Sequence, residues 1–147
     1  MNLESVLEMW KKDSQIEQYN LDETSRNTPQ LHAKYLELLS IAKLQMKKAE
    51  HTQKSLLHQK WLYYNGKMSQ EQIVELGWAF DPFDGLKVLK GEMEYYYNSD
   101  IDIQKSEEKL TYYKTLIETL TEIVTNLNWR HQTVGNMIKW RQFEAGG

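Results

Sequence analysis

Lys43, Lys47, His51, Lys54, His58 and Trp61 follow one another at spacings of four, four, three, four and three, so a helix through them aligns all six along one face. Lys60 and Tyr64 form a neighbouring pair beside Trp61, and Lys67 follows them. Cations for phosphates and aromatic rings for bases are what a single strand of nucleic acid asks of a protein surface, with stacking contributing ~1–3 kcal/mol per base. Stacking is tolerant of sequence because every base has a face. The same residues also describe a solvated helix face with a few buried aromatics. The pattern alone leaves both readings open.

Enzymatic chemistry has little to stand on. Asp81 and Asp84, Glu92 and Glu94, and Asp100 and Asp102 are close in sequence, but surface charge or helix capping accounts for them. His51 and His58 are seven apart on one helix, about 10 Å by helix rise, too far to share a metal. No His-Glu-x-x-His and no phosphate-binding loop occurs. Cysteine is absent, which removes disulfides, zinc–thiolate sites and thiol nucleophiles and fits an intracellular protein. The expectation is a non-enzyme without metal or cofactor.

The elements that must position the stripe are helical. The chain of 147 residues is of one-domain size, with two prolines and seven glycines. No apolar run is long enough to span a membrane, and the N-terminus, with Glu4 and Glu8, lacks a signal-peptide layout. A net charge of −3 argues against nucleic acid, but its distribution matters more than its sum. Residues 43–67 carry six lysines and one acid, between an acidic N-terminus and an acidic stretch over 68–122.

The pattern predicts a first helix over about 1–19, and a polar break from Leu21 to Thr28. A second helix is expected from Pro29 to Tyr64, with Thr28 as its cap and Asn65-Gly66 as its stop. Leu31, Tyr35, Leu38, Ala42, Ala49, Leu56 and Tyr63 form its core stripe. Ser69 caps a short helix through Leu76, and Gly77 to Gly85 is a loop whose Trp78, Phe80 and Phe83 should pack against something. Leu86 to Tyr97 reads as helix, then Asn98 to Asp100 as a break and cap.

The last third, Ile103 to Arg141, repeats every 3.5 residues. One set is Ile103, Leu110, Ile117, Val124, His131 and Ile138; a second is Ser106, Tyr113, Leu120, Leu127, Val134 and Arg141. Leu116, Ile123 and Met137 widen the apolar face. Such a face suits either a helix buried within one domain or self-association, and periodicity weighs the two equally. His131 falls on the seam as a register-setting polar residue, and Arg130 belongs to a basic helix end.

The C-terminal Met137-Ile-Lys-Trp-Arg-Gln-Phe-Glu-Ala-Gly146 resembles the end of the phage UvsY recombination mediators, which close on a similar Phe-Glu-Ala-Gly. Leu57-His-Gln-Lys-Trp-Leu-Tyr-Tyr-Asn-Gly66 resembles that family's Leu-Lys-Ala-Arg-Leu-Asp-Tyr-Tyr-Ser-Gly, and Leu3-Glu4 and Lys11-Lys12-Asp13 are similar too. The resemblance loosely covers most of the chain, with little to align between Lys67 and Ile103. It implies an all-α fold of long helices with a C-terminal coiled-coil-like helix, assembled as a homo-oligomeric ring, hexamer or heptamer. The single helical domain, 1–147, would have a DNA-binding part over 1–100 and an oligomerisation helix over 101–147.

The resemblance further implies a mediator that binds single-stranded DNA in the host cytoplasm. It would help displace the phage single-strand-binding protein and load a RecA-like phage recombinase in recombination, repair and replication. The cationic pair of the family's motif falls here on His58 and Lys60; His58 departs from it, since an imidazole is not a permanent cation. The expected DNA-binding set is Lys43, Lys47, Lys54, His58, Lys60, Trp61, Tyr64 and Lys67. The expected oligomerisation set is Tyr113, Leu116, Ile117, Leu120, Ile123, Val124, Leu127, Val134 and Ile138. The competing reading is a structural coiled-coil assembly or chaperone protein that binds no nucleic acid.

Overall fold

The computed structural model describes residues 1–146. Among the described residues the fold is all-α, with five helices: α1 (Leu3–Asp13), α2 (Leu21–Tyr64), α3 (Gln70–Leu76), α4 (Met93–Ser99) and α5 (Ile101–Glu144). Among the described residues, no helix is long and apolar enough to cross a membrane.

Two helix starts and one stop differ from the sequence expectation. The first helix ends at Asp13 rather than near Tyr19, because the carbonyls that follow are used elsewhere: Arg130 donates to Asp13 O and Gln15 O, both at 3.0 Å. The second helix begins at Leu21, eight residues before Pro29, which lies inside it. The earlier start places Asp22 and Glu23 in the first turn, where they suit the helix dipole, and buries Leu21. Thr28 does not cap; its hydroxyl donates to Thr24 O at 2.8 Å, one turn back. Pro29 lacks only the N–H that would have bonded one turn back, and the flanking turns carry the helix through.

The stop at Tyr64 is as expected, with Gly66 in the left-handed region at φ 68°. Ser69 caps α3, its hydroxyl accepting from Gln72 N at 3.3 Å, and Gly77 closes it at φ 73°. The segment from Leu86 is turn and coil until Met93, so α4 is shorter than the helix expected over 86–97. Asp100 does cap α5, its Oδ1 accepting from Ile103 N at 3.0 Å.

Packing divides the chain into two units, Met1–Gln45 with Tyr113–Gly147, and Met46–Tyr112. In the first, Val6, Tyr35, Leu39, Ala42, Leu116, Leu120, Ile123 and Leu127 form the core. Trp10 meets Tyr35 edge-on at 5.5 Å, and the Tyr35 hydroxyl donates to Asp13 Oδ2 at 2.8 Å. In the second, Tyr63, Met68 and Ile73 form a smaller core, capped by Trp78 at 5.0 Å from the Tyr63 ring. There α2 and α5 run antiparallel, since Gln53 meets Ser106 while Tyr64 meets Asp100.

The α5 seam lies inside the chain. Leu116, Leu120, Ile123 and Leu127 belong to the first core, Val134 is buried, and Tyr113, Ile117 and Val124 pack against that core half-buried. These eight of the nine expected oligomerisation residues are therefore engaged within their own chain; Ile138 is exposed. Beyond Tyr113 the deepest positions are Leu116, Leu120, Ile123, Leu127, Arg130 and Val134, not the line through Ile117, Val124 and His131. A straight helix drifts ~20° per heptad against a 3.5 repeat, so a long face hands over from one line to its neighbour. His131 is thereby exposed, its Nδ1 2.9 Å from Asn128 O, and Arg130 takes the core position.

Candidate nucleic-acid interface

The α2 helix separates its faces cleanly. Tyr35, Leu39, Ala42, Met46, Ala49, Gln53, Leu56, Lys60 and Tyr63 step by fours and threes, and each is buried or half-buried. Lys43, Lys47, His51, Lys54, His58 and Trp61 lie on the opposite side, all exposed. Lys43 belongs to the first unit, and the other five to the second. The exposed face gains Lys67, whose Nζ stands 4.5 Å from the centroid of the Trp61 ring. Lys47 is drawn toward Glu50 at 3.4 Å, an exposed pair of little strength.

Lys60 is not on that face. Its side chain is 5% exposed and pairs with Asp100 Oδ2 at 3.0 Å and Asp102 Oδ2 at 2.9 Å. The Trp78 ring covers the ammonium at 3.8 Å, and the Tyr63 ring stands at 5.6 Å. The Tyr64 hydroxyl also donates to Asp100 Oδ2, and its ring packs with Phe83 at 5.7 Å and Tyr96 at 6.0 Å. Of the eight residues expected to contact DNA, Lys60 and Tyr64 are thus engaged internally. The signal was present: extending the apolar stripe from Leu56 by four reaches Lys60.

Burial alone would raise the Asp100 carboxyl. Hydrogen bonds from Tyr64, the Ile103 amide and Lys60, with the charge of Lys60, hold it below the usual carboxylate range instead. Asp13 in the first unit repeats the logic: burial raises it, and Lys34 at 2.7 Å, Tyr35 and the charge of Arg130 lower it. Burial pushes the Arg130 guanidinium down against the attraction of Asp13, and its Nε is buried with no hydrogen-bond partner among the described residues.

Both carboxyls therefore bind protons less readily folded than unfolded. Their contribution to stability is complete above the unfolded value of about 4 and is lost as pH falls through the lowered folded values. Urea midpoints should accordingly hold from neutrality to about pH 5 and drop steeply below about pH 4. An Asp13→Asn/Asp100→Asn variant should start lower and show a shallower acid limb; an unchanged limb would show that other carboxyls govern it.

A family model described as the recombination, repair and ssDNA binding protein UvsY matches residues 9–147. The chain belongs to the UvsY family. It is 26% identical over 146 residues to the recombination protein uvsY of Enterobacteria phage T4, covering 99% of both chains. Its fold matches a crystal structure of the bacteriophage T4 recombination mediator protein UvsY at a TM-score of 0.82, with 26% identity over 99% of this chain and 98% of that one. A second T4 UvsY lattice gives 0.80 at 24% identity, over 95% of this chain and 98% of that one. The similarity includes residues 68–100, where the resemblance of sequence was faintest. In this member of the UvsY family, the exposed α2 face is the cationic and aromatic surface that the motif around Trp61 helps to build.

Proposed function

We propose that this chain is a recombination mediator. It binds single-stranded DNA on the exposed α2 face, helps displace the phage single-strand-binding protein, and loads a RecA-like recombinase in the host cytoplasm. The observation that carries the reading is the segregation of lysines and Trp61 onto one solvent-facing side of α2 in a chain of net negative charge. The working set is Lys43, Lys47, Lys54, His58, Trp61 and Lys67; Lys60 and Tyr64 act behind it. Trp61 offers a base its ring, and Lys67 above that ring is placed to follow the adjoining phosphate.

Self-association, as a hexameric or heptameric ring, multiplies the contact of one protomer provided that a strand can span adjacent sites. The surface that supports it is the side of the α5 end on which Trp129, Trp140 and Phe143 are all exposed. Trp140 and Phe143 stack on each other at 5.4 Å and leave a broad aromatic face outward.

Oligonucleotide binding across a salt series tests the DNA contact. With about four phosphates neutralised per protomer, log K should fall against log salt with a slope near −3. A Lys54→Ala/Lys67→Ala variant should lose affinity by about tenfold or more at low salt and flatten that slope by roughly 1.4, with melting unchanged. Wild-type affinity in that variant would place the contact elsewhere. Absence of binding in the unaltered chain at low salt would favour a structural assembly protein.

A further inference from the structure

Two of the four histidines, His51 and His58, lie on the exposed side of α2 within the second unit. Lys54 stands between them, three residues from one and four from the other, with Lys47 one turn before and Trp61 one turn after. Helix rise separates the two histidines by ~10 Å along this line. His131 rests against Asn128 O, whereas neither of these rings has a hydrogen bond or ion pair among the described residues. Both are open to a ligand arriving from solvent.

The surrounding charges favour an anionic ligand. Within a turn of His51 stand Lys47, Lys48, Glu50 and Lys54, and Glu50 is drawn to Lys47 at 3.4 Å. Within a turn of His58 stand Lys54 and Lys60, the latter turned inward. α5 packs on the opposite side of α2, where Asp100 and Asp102 take Lys60 and the Gln53 amide donates to the Ser106 hydroxyl. The segments packed on Tyr63 and Tyr64 carry Glu71, Glu75, Asp81, Asp84, Glu92 and Glu94, all exposed and none paired with either ring among the described residues.

Imidazole is the side chain that changes charge between about pH 5 and 8 in ordinary surroundings. A phosphate oxygen holds an imidazolium by an ion pair and a charge-assisted hydrogen bond, and holds a neutral imidazole far less well. Lysine keeps its charge throughout that range. A strand laid along Lys47, Lys54 and Lys67 passes both rings and favours a proton on each.

We infer that His51 and His58 are proton-coupled phosphate contacts: each takes a proton from solvent as a strand docks, so affinity for single-stranded DNA rises as pH falls through neutrality. The inference rests on the mediator reading for the strand on α2. It adds His51 to the contact set and specifies the charged form in which His58 acts. The lysines supply a constant attraction, and the two histidines make the grip on the strand adjustable by pH.

The test uses the full chain and a thymine oligonucleotide, whose bases do not titrate near neutrality, labelled with a dye insensitive to pH. Affinity should be about tenfold or more higher at pH 6 than at pH 8, because the slope of log K against pH counts the protons taken up. The salt slope should be steeper at pH 6 by roughly 1.4, about 0.7 for each imidazolium. His51→Gln/His58→Gln should bind within about twofold of the unaltered chain at pH 8, lose about tenfold at pH 6, and melt unchanged, since both side chains are exposed. His58→Lys should bind more tightly than the unaltered chain at pH 8 and show a shallower pH slope. Titration calorimetry in two buffers of different ionisation enthalpy should show proton uptake that the double Gln variant lacks. A pH dependence retained in that variant assigns the proton to another group and overturns the inference. Binding of the unaltered chain that is indifferent to pH overturns this inference alone, whereas absence of binding at every pH overturns the mediator reading as well.

Discussion

Lys60→Ala is expected to destabilise the protein by ~3–5 kcal/mol, because it strips the partner from a buried carboxylate. Asp100 would keep Tyr64 and the Ile103 amide but lose the cation that offsets its burial, and Trp78 would lose the ammonium beneath its ring. A domain stable by only ~5–15 kcal/mol feels such a loss strongly. Urea denaturation at neutral pH should show a lower midpoint with the slope retained. Were Lys60 a surface ligand for phosphate, as its position in the family's motif suggests, the same substitution would weaken oligonucleotide binding and leave the midpoint alone. A double-mutant cycle sharpens the distinction. On an Asp100→Asn/Asp102→Asn background, Lys60→Ala should cost far less, since no buried charge is left stranded. Equal cost on both backgrounds would show that the ion pairs are not what Lys60 contributes.

Leu120→Ala should cost ~2–5 kcal/mol, the usual range for emptying a fully buried leucine site. Leu120 shares its core with Val6, Tyr35 and Leu39, so the vacated space lies among helices of the same unit. A heptad seam read as an assembly surface predicts instead that Leu120 variants dissociate while each protomer stays folded. Trp140→Ala/Phe143→Ala supplies the contrast. Both residues are exposed, so thermal stability measured at the protomer level should move by no more than ~0.5 kcal/mol. The mass from light scattering should fall, and oligonucleotide affinity should fall with it through lost avidity. An unchanged mass in that variant would remove the α5 end from the assembly surface.

These outcomes separate residues that are alike in sequence. Leu120 and Ile138 both sit on the 3.5-residue repeat, yet one is buried and the other exposed. Lys54 and Lys60 both lie in the basic stretch, yet one faces solvent and the other two aspartates. Periodicity shows that a helix has an apolar face, and it is silent about what covers that face. In this chain the cover is α1 and the first half of α2, drawn from residues far away in sequence.

The helical class, the stop at Asn65-Gly66, the Ser69 and Asp100 caps and the exposed stripe on α2 were legible from residue types and spacing alone. Each depends on neighbours within about a turn of helix, where stereochemistry and capping act. The Leu21 start was not legible, because Pro after Thr is as good a signal for a first turn as for an interior position bridged by its neighbours. Nor was the stop at Asp13, which Arg130 fixes from more than a hundred residues away. The sequence by itself determined where helices form and which of their faces are cationic or apolar. Only the tertiary structure decided which apolar face is core, which lysine is a structural cation and which tryptophans remain outside. Those outcomes follow from the long-range pairing of α1, α2 and α5, and the free energy of burying a side chain depends on what stands opposite it.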